Sequence, residues 1–238
     1  MQIYLIRVGA DLSVGGGSWN GPVDSLSGRF VYVPIPERKP IRVGLAKKYE
    51  TLAPFLEAFR IDLPEHLTRQ QMHLDPDFDH GTYGDTGKKG AQLERCLEPG
   101  DRLVFYSGLR CVRSNKLVYA LIGAILVEQV DRATDWPAGR YDQNAHTRRE
   151  LAADAPDIIV VGDPAGSGRL TRCIPVGEYR NRAYRLRSDI LEAWGQISSQ
   201  DGYLQRSAVF PSVQDPGRFM KWWDRQDVEF AHANNIRT

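Results

Sequence analysis

Six side chains capable of acid–base or metal chemistry lie within thirteen consecutive residues of the chain. They are His73, Asp75, Asp77, Asp79, His80 and Asp85. Carboxylates placed so close together repel one another, and burial raises their pKa values, so the cluster is costly unless it has a use. The segment therefore predicts a functional carboxylate site. The alternative is a polar surface loop held by Asx turns.

A calcium-binding loop is the first metal site to compare with this spacing. Asp75, Asp77 and Asp79 alternate as the first ligands of such a loop do. The glycine required at the sixth position is His80, however, and the glutamate required at the twelfth is Thr86. The spacing therefore excludes this kind of calcium site.

An iron site of the kind found in oxygenases fits the residues better. His73 and Asp75 match two ligands of a triad made of two histidines and one carboxylate, and His146 supplies a distal histidine. Against this interpretation, no arginine follows His146 at the spacing that would hold a keto-acid cosubstrate, and Pro76 suits a loop. We predict no metal here and keep the iron oxygenase as an alternative.

A hydrolytic reaction that needs no cofactor fits the same segment. Cleavage of an N-glycosidic bond requires a carboxylate that stabilises positive charge on the sugar or activates water, and a donor to the departing base. The predicted catalytic residues are Asp75, Asp77, Asp85 and His73, with Asp11 in a glycine-rich stretch as a further candidate. The glycine-rich segment 162–168 lacks the Gly-Lys-Ser/Thr ending of a P-loop, so no nucleotide cofactor is predicted.

Four further side chains are predicted to bind the substrate: Tyr83, Tyr106, Asn144 and His146. The tyrosines would shape a pocket for a base. An asparagine can read a base edge through two hydrogen bonds, and an imidazole can donate to a leaving base or a phosphate. Asn144 is also placed to cap the helix that follows it, and that alternative stays open.

Arginine is concentrated between residues 169 and 187, where six arginines accompany one acidic residue, Glu178. Guanidinium groups pair with phosphates through two hydrogen bonds, and the interleaved Tyr179 and Tyr184 can stack on unpaired bases. The residues predicted to bind DNA phosphates are Arg110, Arg180, Arg182 and Arg185. The alternative is a solvated strand face with scattered ion pairs.

The order of apolar runs and turns predicts the elements that hold these side chains. Strands are predicted at 1–8, 30–33, 102–107, 117–127 and 158–161, and helices at 47–59, 91–97, 146–154, 188–197 and 216–232. Gly15, Gly16 and Gly17 predict a loop. Because no internal repeat or linker is found, we predict one α+β domain over residues 1–238, with a C-terminal helical part at 188–238.

Composition narrows the class of protein without identifying its chemistry. The chain has 238 residues, and 31 basic residues against 30 acidic ones leave a net charge of +1. This balance excludes a histone-like polycation and an acidic disordered tail. Cys96, Cys111 and Cys173 are too far apart for a disulfide framework or a CxxC zinc motif, and no apolar run is long enough to cross a membrane. Since the N-terminus has no signal-peptide pattern, we expect a cytoplasmic protein.

A turn and two strands near the middle of the chain resemble the core of PUA-like domains, which include the EVE and YTH groups. The matching residues are LEPGDRLVFYS at 97–107 and Ile-Gly-Ala at 122–124. The resemblance implies a small mixed β-barrel whose mouth accepts a flipped or single-stranded modified base. We therefore expect an α+β fold, a PUA-like mixed β-barrel with flanking helices, whose core lies at about 91–130 together with the N-terminal strands.

A longer pattern resembles the nucleotide-modification-associated domain family of phages and bacteria. The matching residues are RVGAD at 7–11, GP at 21–22, Phe30 with PIP at 34–36, HLDPDF at 73–78, TYGD at 82–85, GD at 100–101 with FY at 105–106, and NAH at 144–146. The resemblance implies action on, or recognition of, DNA that contains modified bases, such as the hypermodified bases of phages.

These features together predict a DNA glycosylase-type hydrolase that flips a modified base and cleaves its N-glycosidic bond with the help of a carboxylate. DNA with modified bases is the expected partner, phage defence is the expected setting, and no cofactor or membrane is expected. Two alternatives remain open: a non-catalytic reader of modified bases, and an oxygenase or transferase that elaborates a base.

Overall fold

The structure, a computed structural model, describes residues 1–11, 19–205 and 207–237, so the loop predicted at Gly15, Gly16 and Gly17 lies outside the described residues. Its strands are β1 (Ile3–Arg7), β2 (Pro22–Val23), β3 (Ile35–Pro36), β4 (Met72–His73), β5 (Thr82–Asp85), β6 (Arg102–Cys111), β7 (Leu117–Arg132), β8 (Ile158–Gly162), β9 (Gly168–Pro175), β10 (Gly177–Arg180), β11 (Ala183–Leu186) and β12 (Phe230–Ala231). Its α-helices are α1 (Ala53–Glu57), α2 (Glu65–Thr68), α3 (Gly87–Cys96), α4 (Ala145–Arg148), α5 (Ser188–Ala193) and α6 (Pro216–Trp223).

A large mixed sheet organises the fold. Its main path runs in the order β1-β6-β7-β8-β5, with β1 parallel to β6 and the other neighbours antiparallel. β2 pairs with β6 in parallel, while β9 pairs with both β7 and β12. Two small antiparallel pairs, β3 with β4 and β10 with β11, lie outside this sheet.

The hairpin of β6 and β7 forms the centre of the sheet because both strands carry long apolar runs. Side chains on successive residues of a strand point to opposite faces. Phe105 accordingly belongs to one core, while Val104 and Tyr106 belong to another. The register of β7 shifts at Ile122, opposite Phe105 and Tyr106 of β6, and again at Glu128, where β7 passes from β6 to β8. Such irregularities bend a strand and increase its twist.

Each face of the sheet is covered by different parts of the chain. On one face lie the buried aromatic side chains of Trp194, which follows α5 directly, and of Phe219 and Trp223 in α6. On the other face lie Phe78 and Tyr83, from the segment rich in aspartate and histidine, together with Leu93 of α3. The second of these cores therefore fixes the segment 73–85 against the sheet.

Gly123 of β7 lies directly beneath the Phe78 ring of this segment. A side chain at position 123 would overlap the Phe78 ring and lie 2.8 Å from the carbonyl oxygen of Gly168. Phe78 is fully buried, and its ring makes edge-on contacts with Tyr32 and Phe105 at centroid distances of 5.6 and 5.8 Å. The absence of a Cβ at Gly123 thus allows Phe78 to anchor the segment.

The fold is a mixed α and β structure with a large mixed sheet, as the sequence predicts at that level. The PUA-like barrel is not confirmed, because the outer strands β1 and β5 do not pair with each other in the described parts of the chain, and the sheet stays open. Within the same residues, no helix is both long and apolar enough to cross a membrane.

Candidate functional site

A cavity of about 320 Å³ lies between the two outer strands of the sheet. We call it the central cavity. Its lining comes from the end of β1, from β5 and the start of α3, and from the residues around β3, β4 and α4. The lining residues are Arg7, Val8, Gly9, Ile35, Lys39, His73, Asp75, Tyr83, Gly84, Asp85, Thr86, Lys89, His146 and Arg149. The sheet therefore curves enough for both of its outer strands to border one cavity.

Asp75 is held at the back of this cavity by two donors. Its Oδ1 accepts hydrogen bonds from the backbone N–H of Gly84 (2.8 Å) and from the Asn144 side chain (3.0 Å). Its Oδ2 lies 3.8 Å from Nε2 of His146. Burial raises the pKa of Asp75 well above its usual range, although the two donated hydrogen bonds act in the opposite direction.

His146 enters the cavity from the short helix α4. The Asn144 side chain caps this helix by accepting a hydrogen bond from the His146 backbone N–H at 2.8 Å. The imidazole Nδ1 lies 2.5 Å from Oδ1 of Asp157, which leaves Nε2 directed toward Asp75. Burial lowers the pKa of His146 to about 4, so the ring is neutral at physiological pH.

Gly84 in β5 makes this packing possible. A Cβ at position 84 would lie 2.6 Å from the ring carbon Cδ2 of His146 and 2.9 Å from Oδ1 of Asn144. Any other residue would displace the imidazole or break the helix cap.

His73 reaches the cavity from β4 and carries a similar set of contacts. Its Nδ1 lies 2.7 Å from a carboxylate oxygen of Glu37, and Arg149 binds both oxygens of that carboxylate at 3.0 Å. The His73 and His146 rings are nearly perpendicular, with centroids 5.0 Å apart. Burial lowers the pKa of His73, in spite of its hydrogen bond with Glu37.

His73, Asp75 and His146 together form a set of donor atoms suited to a metal ion. One ligand atom from each residue lies within 4.8 Å of the corresponding atoms of the other two. Two imidazoles and one carboxylate are a common ligand set for first-row divalent ions such as iron. The arrangement matches the alternative that the sequence left open.

A second carboxylate, Asp85, lines the cavity beside this set. Its Oδ2 accepts a hydrogen bond from the Tyr83 hydroxyl at 2.9 Å, and its Oδ1 accepts one from the Thr86 backbone N–H at 2.7 Å. Lys39 and Lys89 also contribute to the lining, and neither forms an ion pair within the described residues. The cavity thus combines a carboxylate wall with ammonium groups.

Four of the predicted catalytic and substrate-binding residues do not line the cavity: Asn144, which caps α4, and Asp77, Asp11 and Tyr106. The Asp77 carboxylate is buried, pairs with Arg148 and accepts a hydrogen bond from Asn234 at 2.9 Å. Asp11 pairs with Arg7. The Tyr106 hydroxyl donates to the carbonyl oxygen of Leu204 at 2.7 Å. These contacts are of the kind that stabilise a fold.

The arginines predicted to bind phosphates have intramolecular partners in most cases. Arg180 pairs with Glu178 and Asp201, and Arg185 lies 3.5 Å from the same Asp201 carboxylate. Arg110 donates to the carbonyl oxygen of Asn115 at 2.9 Å. Arg182 lies at the exposed turn between β10 and β11, where its φ is 62°.

Three residues beside the cavity histidines are not among the residues predicted from the sequence: Glu37, Arg149 and Asp157. Glu37 contacts His73 and Asp157 contacts His146, whereas Arg149 contacts both histidines and also lines the cavity. Glu37 lies 36 positions before His73 in the chain, and no local pattern connects them. Arg149 follows His146 by three positions in the chain, and this short spacing is the signal in the sequence that could have indicated its contact with the site.

Comparison with known proteins gives a family and nothing closer. The model of the family described as nucleotide modification associated domain 3 matches residues 2–207. No curated protein and no solved structure matches the chain. The matched residues include every residue that lines the central cavity.

Proposed function

The chain belongs to the nucleotide modification associated domain 3 family, and from this premise we propose that it is an enzyme that alters a modified base of DNA. The base binds in the central cavity, and the reaction takes place at the cluster of His73, Asp75 and His146. The finer choice between reactions rests on how the side chains of this cavity are arranged.

The observation that carries the proposal is the convergence of buried ionisable groups on one open cavity. Besides His73, Asp75 and His146, the cluster includes the carboxylates of Glu37 and Asp157, each with 1–3% of its side chain exposed. Apolar residues of similar volume would stabilise a fold as well or better than such a buried network. A buried cluster of perturbed ionisable groups at a cavity is typical of an active site.

The size of the cavity indicates a single base as the substrate. A volume of about 320 Å³ is at the small end of ligand pockets, which hold roughly 300–1,000 Å³. A base pair in a duplex could not enter, so a target base must leave the helix or come from a single strand. Flipping costs a few kcal/mol, and least for a base whose pairing is already weakened.

The arrangement of the carboxylates favours a change to the base over cleavage of its bond to the sugar. Glycosidic hydrolysis needs an ionised carboxylate near the sugar carbon. Asp75 has one oxygen fixed by Gly84 and Asn144 and the other directed at His146. The reactive groups of the cluster therefore point to the space between the two imidazoles and not toward a sugar carbon.

Glycosidic cleavage remains the second candidate because Asp85 lies on the cavity wall. Its carboxylate is oriented by the Tyr83 hydroxyl and the Thr86 N–H, and both oxygens keep a lone pair for a further interaction. In this reaction Asp85 would stabilise positive charge on the sugar. The protein would then be a glycosylase, as the sequence analysis predicts.

Mass spectrometry of DNA after incubation with the protein tests both reactions. Phage DNA with hypermodified bases and the same sequence with ordinary bases are each digested to nucleosides, and free bases are measured separately. A new or missing modified nucleoside supports the proposal, while free bases with abasic sites indicate the glycosylase. Tight binding with unchanged DNA would refute an enzyme and leave a reader of modified bases.

Matched variants link the reaction to the cavity. We expect Asp75→Asn and His146→Gln to abolish the change to the base, whereas Asp85→Asn should abolish base release if that is the reaction. Asp62→Asn and His66→Gln, which alter exposed residues outside the cavity lining, should leave either reaction intact.

A further inference from the structure

We propose that His73, Asp75 and His146 bind one divalent first-row transition-metal ion, which is the reactive centre of the central cavity. The inference deepens the proposed function, on which the reactive role of the ion rests, but binding of the ion can be tested without DNA. The positions of the three donor atoms and the contacts on their far sides support it independently.

The three donor atoms are close enough for one ion. Metal–ligand bonds of about 2.0–2.2 Å place neighbouring donors about 3–3.5 Å apart. The ligand atoms of the cluster lie within 4.8 Å of one another, and Asp75 Oδ2 is 3.8 Å from His146 Nε2. Small rotations of buried side chains, of about 1 Å at the donor atoms, would bring them into the range of a bound metal.

Each ligand is oriented by a contact on its far side. Asp157 contacts Nδ1 of His146, Glu37 contacts Nδ1 of His73, and Gly84 with Asn144 holds Oδ1 of Asp75. A carboxylate that accepts the Nδ1–H of a histidine fixes the tautomer whose Nε2 binds metal. Both histidines have such a carboxylate, which is the usual outer arrangement of a metal site.

The ligand types select the class of metal. Two imidazole nitrogens and one carboxylate oxygen suit iron, manganese, cobalt, nickel or zinc, whereas calcium and magnesium prefer oxygen ligands alone. Three protein ligands leave coordination positions open, as in catalytic rather than structural sites. Because the cluster lines the cavity, the open positions face the place where a substrate would bind.

Cobalt(II) is the probe that tests the site, since its visible absorption reports the number and type of its ligands. The untagged 238-residue chain is treated with a chelator, dialysed and titrated with cobalt(II), and calorimetry gives the affinity and stoichiometry. We expect one ion per chain and a rise in the melting temperature on binding. His73→Gln, Asp75→Asn and His146→Gln should each weaken binding by at least about 100-fold, and Asp157→Asn by about 10–100-fold.

His66→Gln and Asp62→Asn serve as controls and should bind cobalt(II) as the unaltered chain does. The inference is overturned if the unaltered chain binds less than about a tenth of one cobalt(II) ion per chain, or if folded Asp75→Asn and His146→Gln variants bind cobalt(II) as tightly as the unaltered chain does. Three separate ligand variants are made so that the test does not depend on the folding of any one of them. If the protein still alters DNA after chelation, the metal is not the reactive centre and the proposed function stands. If the protein binds the metal tightly but leaves DNA unaltered, the metal site stands and the proposed function fails.

Discussion

The buried pair of Asp77 and Arg148 offers a stability test of what Asp77 does. The two side chains are 1% and 2% exposed. Replacing Asp77 with asparagine leaves the Arg148 guanidinium buried with the carbonyl oxygen of Asp142 as a remaining acceptor. Removing one partner of a buried ion pair costs about 3–5 kcal/mol, because the other charge stays uncompensated.

The expected loss is large enough to measure in two ways. Urea unfolding followed by tryptophan fluorescence should show Asp77→Asn to be less stable by about 3–5 kcal/mol. For a chain of this size, that corresponds to a fall in melting temperature of about 6–20 °C. The double variant Asp77→Asn with Arg148→Met should recover part of the loss, because it removes both charges.

A small effect of Asp77→Asn would refute this reasoning. A loss of stability below about 1 kcal/mol would be typical of a surface change rather than of a broken buried pair. If the variant also lost its activity on DNA, Asp77 would have the catalytic role that the sequence predicts. Loss of stability with retained activity at low temperature would give it a structural role.

Four further predictions follow from individual contacts. Gly84→Ala should displace His146 and weaken cobalt(II) binding by about 10-fold or more in the calorimetric titration. Gly139→Ala is the control and should leave the affinity unchanged, because nothing lies within 4 Å of the added methyl. Tyr106→Phe should lower the free energy of unfolding in urea by about 0.5–1.5 kcal/mol, because it removes the hydrogen bond to the carbonyl oxygen of Leu204. If the variant keeps the activity on DNA of the unaltered chain, the Tyr106 hydroxyl does not bind substrate. The Asp77 carboxylate, 3.3 Å from Nδ1 of His80, raises the pKa of that imidazole. The stability from this pair should therefore be fully present below about pH 6.5 and decline as the pH rises through the folded-state pKa. NMR titration should find the pKa of His80 above about 6.5 and lowered by Asp77→Asn. If the β10–β11 turn contacts DNA, Arg182→Ala should reduce the slope of log affinity against log salt by about 0.9, and an unchanged slope would exclude a phosphate contact there.

The central strands could be predicted from the sequence because their pattern is local. Segments 102–107 and 117–127 read as strands from continuous apolar residues, and the structure extends them to Cys111 and Arg132. The helix predicted at 146–154 is only Ala145–Arg148 in the structure. The chain leaves the helix where Arg149 pairs with Ile41 in a β-bridge and its guanidinium reaches Glu37, and neither contact is visible in a local window.

Residue types indicate which segments carry candidate site residues, but not which of those residues meet in space. The sequence predicts candidates in the segment 73–85 and at His146, and the structure brings His73, Asp75 and His146 together. Asp75 and Asp77 are two residues apart and chemically identical, yet one faces the cavity and the other pairs with Arg148. What separates them is tertiary contact, with Asn144 on one side and Asn234 on the other.

The open sheet explains why the cavity lies where it does. In a closed barrel, β1 and β5 would pair and their backbone groups would satisfy each other. Here the ends of both strands border the central cavity instead, and β5 carries Tyr83, Gly84 and Asp85 into its wall. A cavity between two outer strands lies on ordered backbone that is fixed by the rest of the sheet, which is the support that a site requiring sub-ångström placement of ligands needs. The outer edge of β1 is instead covered by residues 211–213, through the hydrogen bonds Leu5 N–H to Pro211 O and Val213 N–H to Ile3 O, so the cavity is bordered by the ends of the two strands rather than by a strand pair.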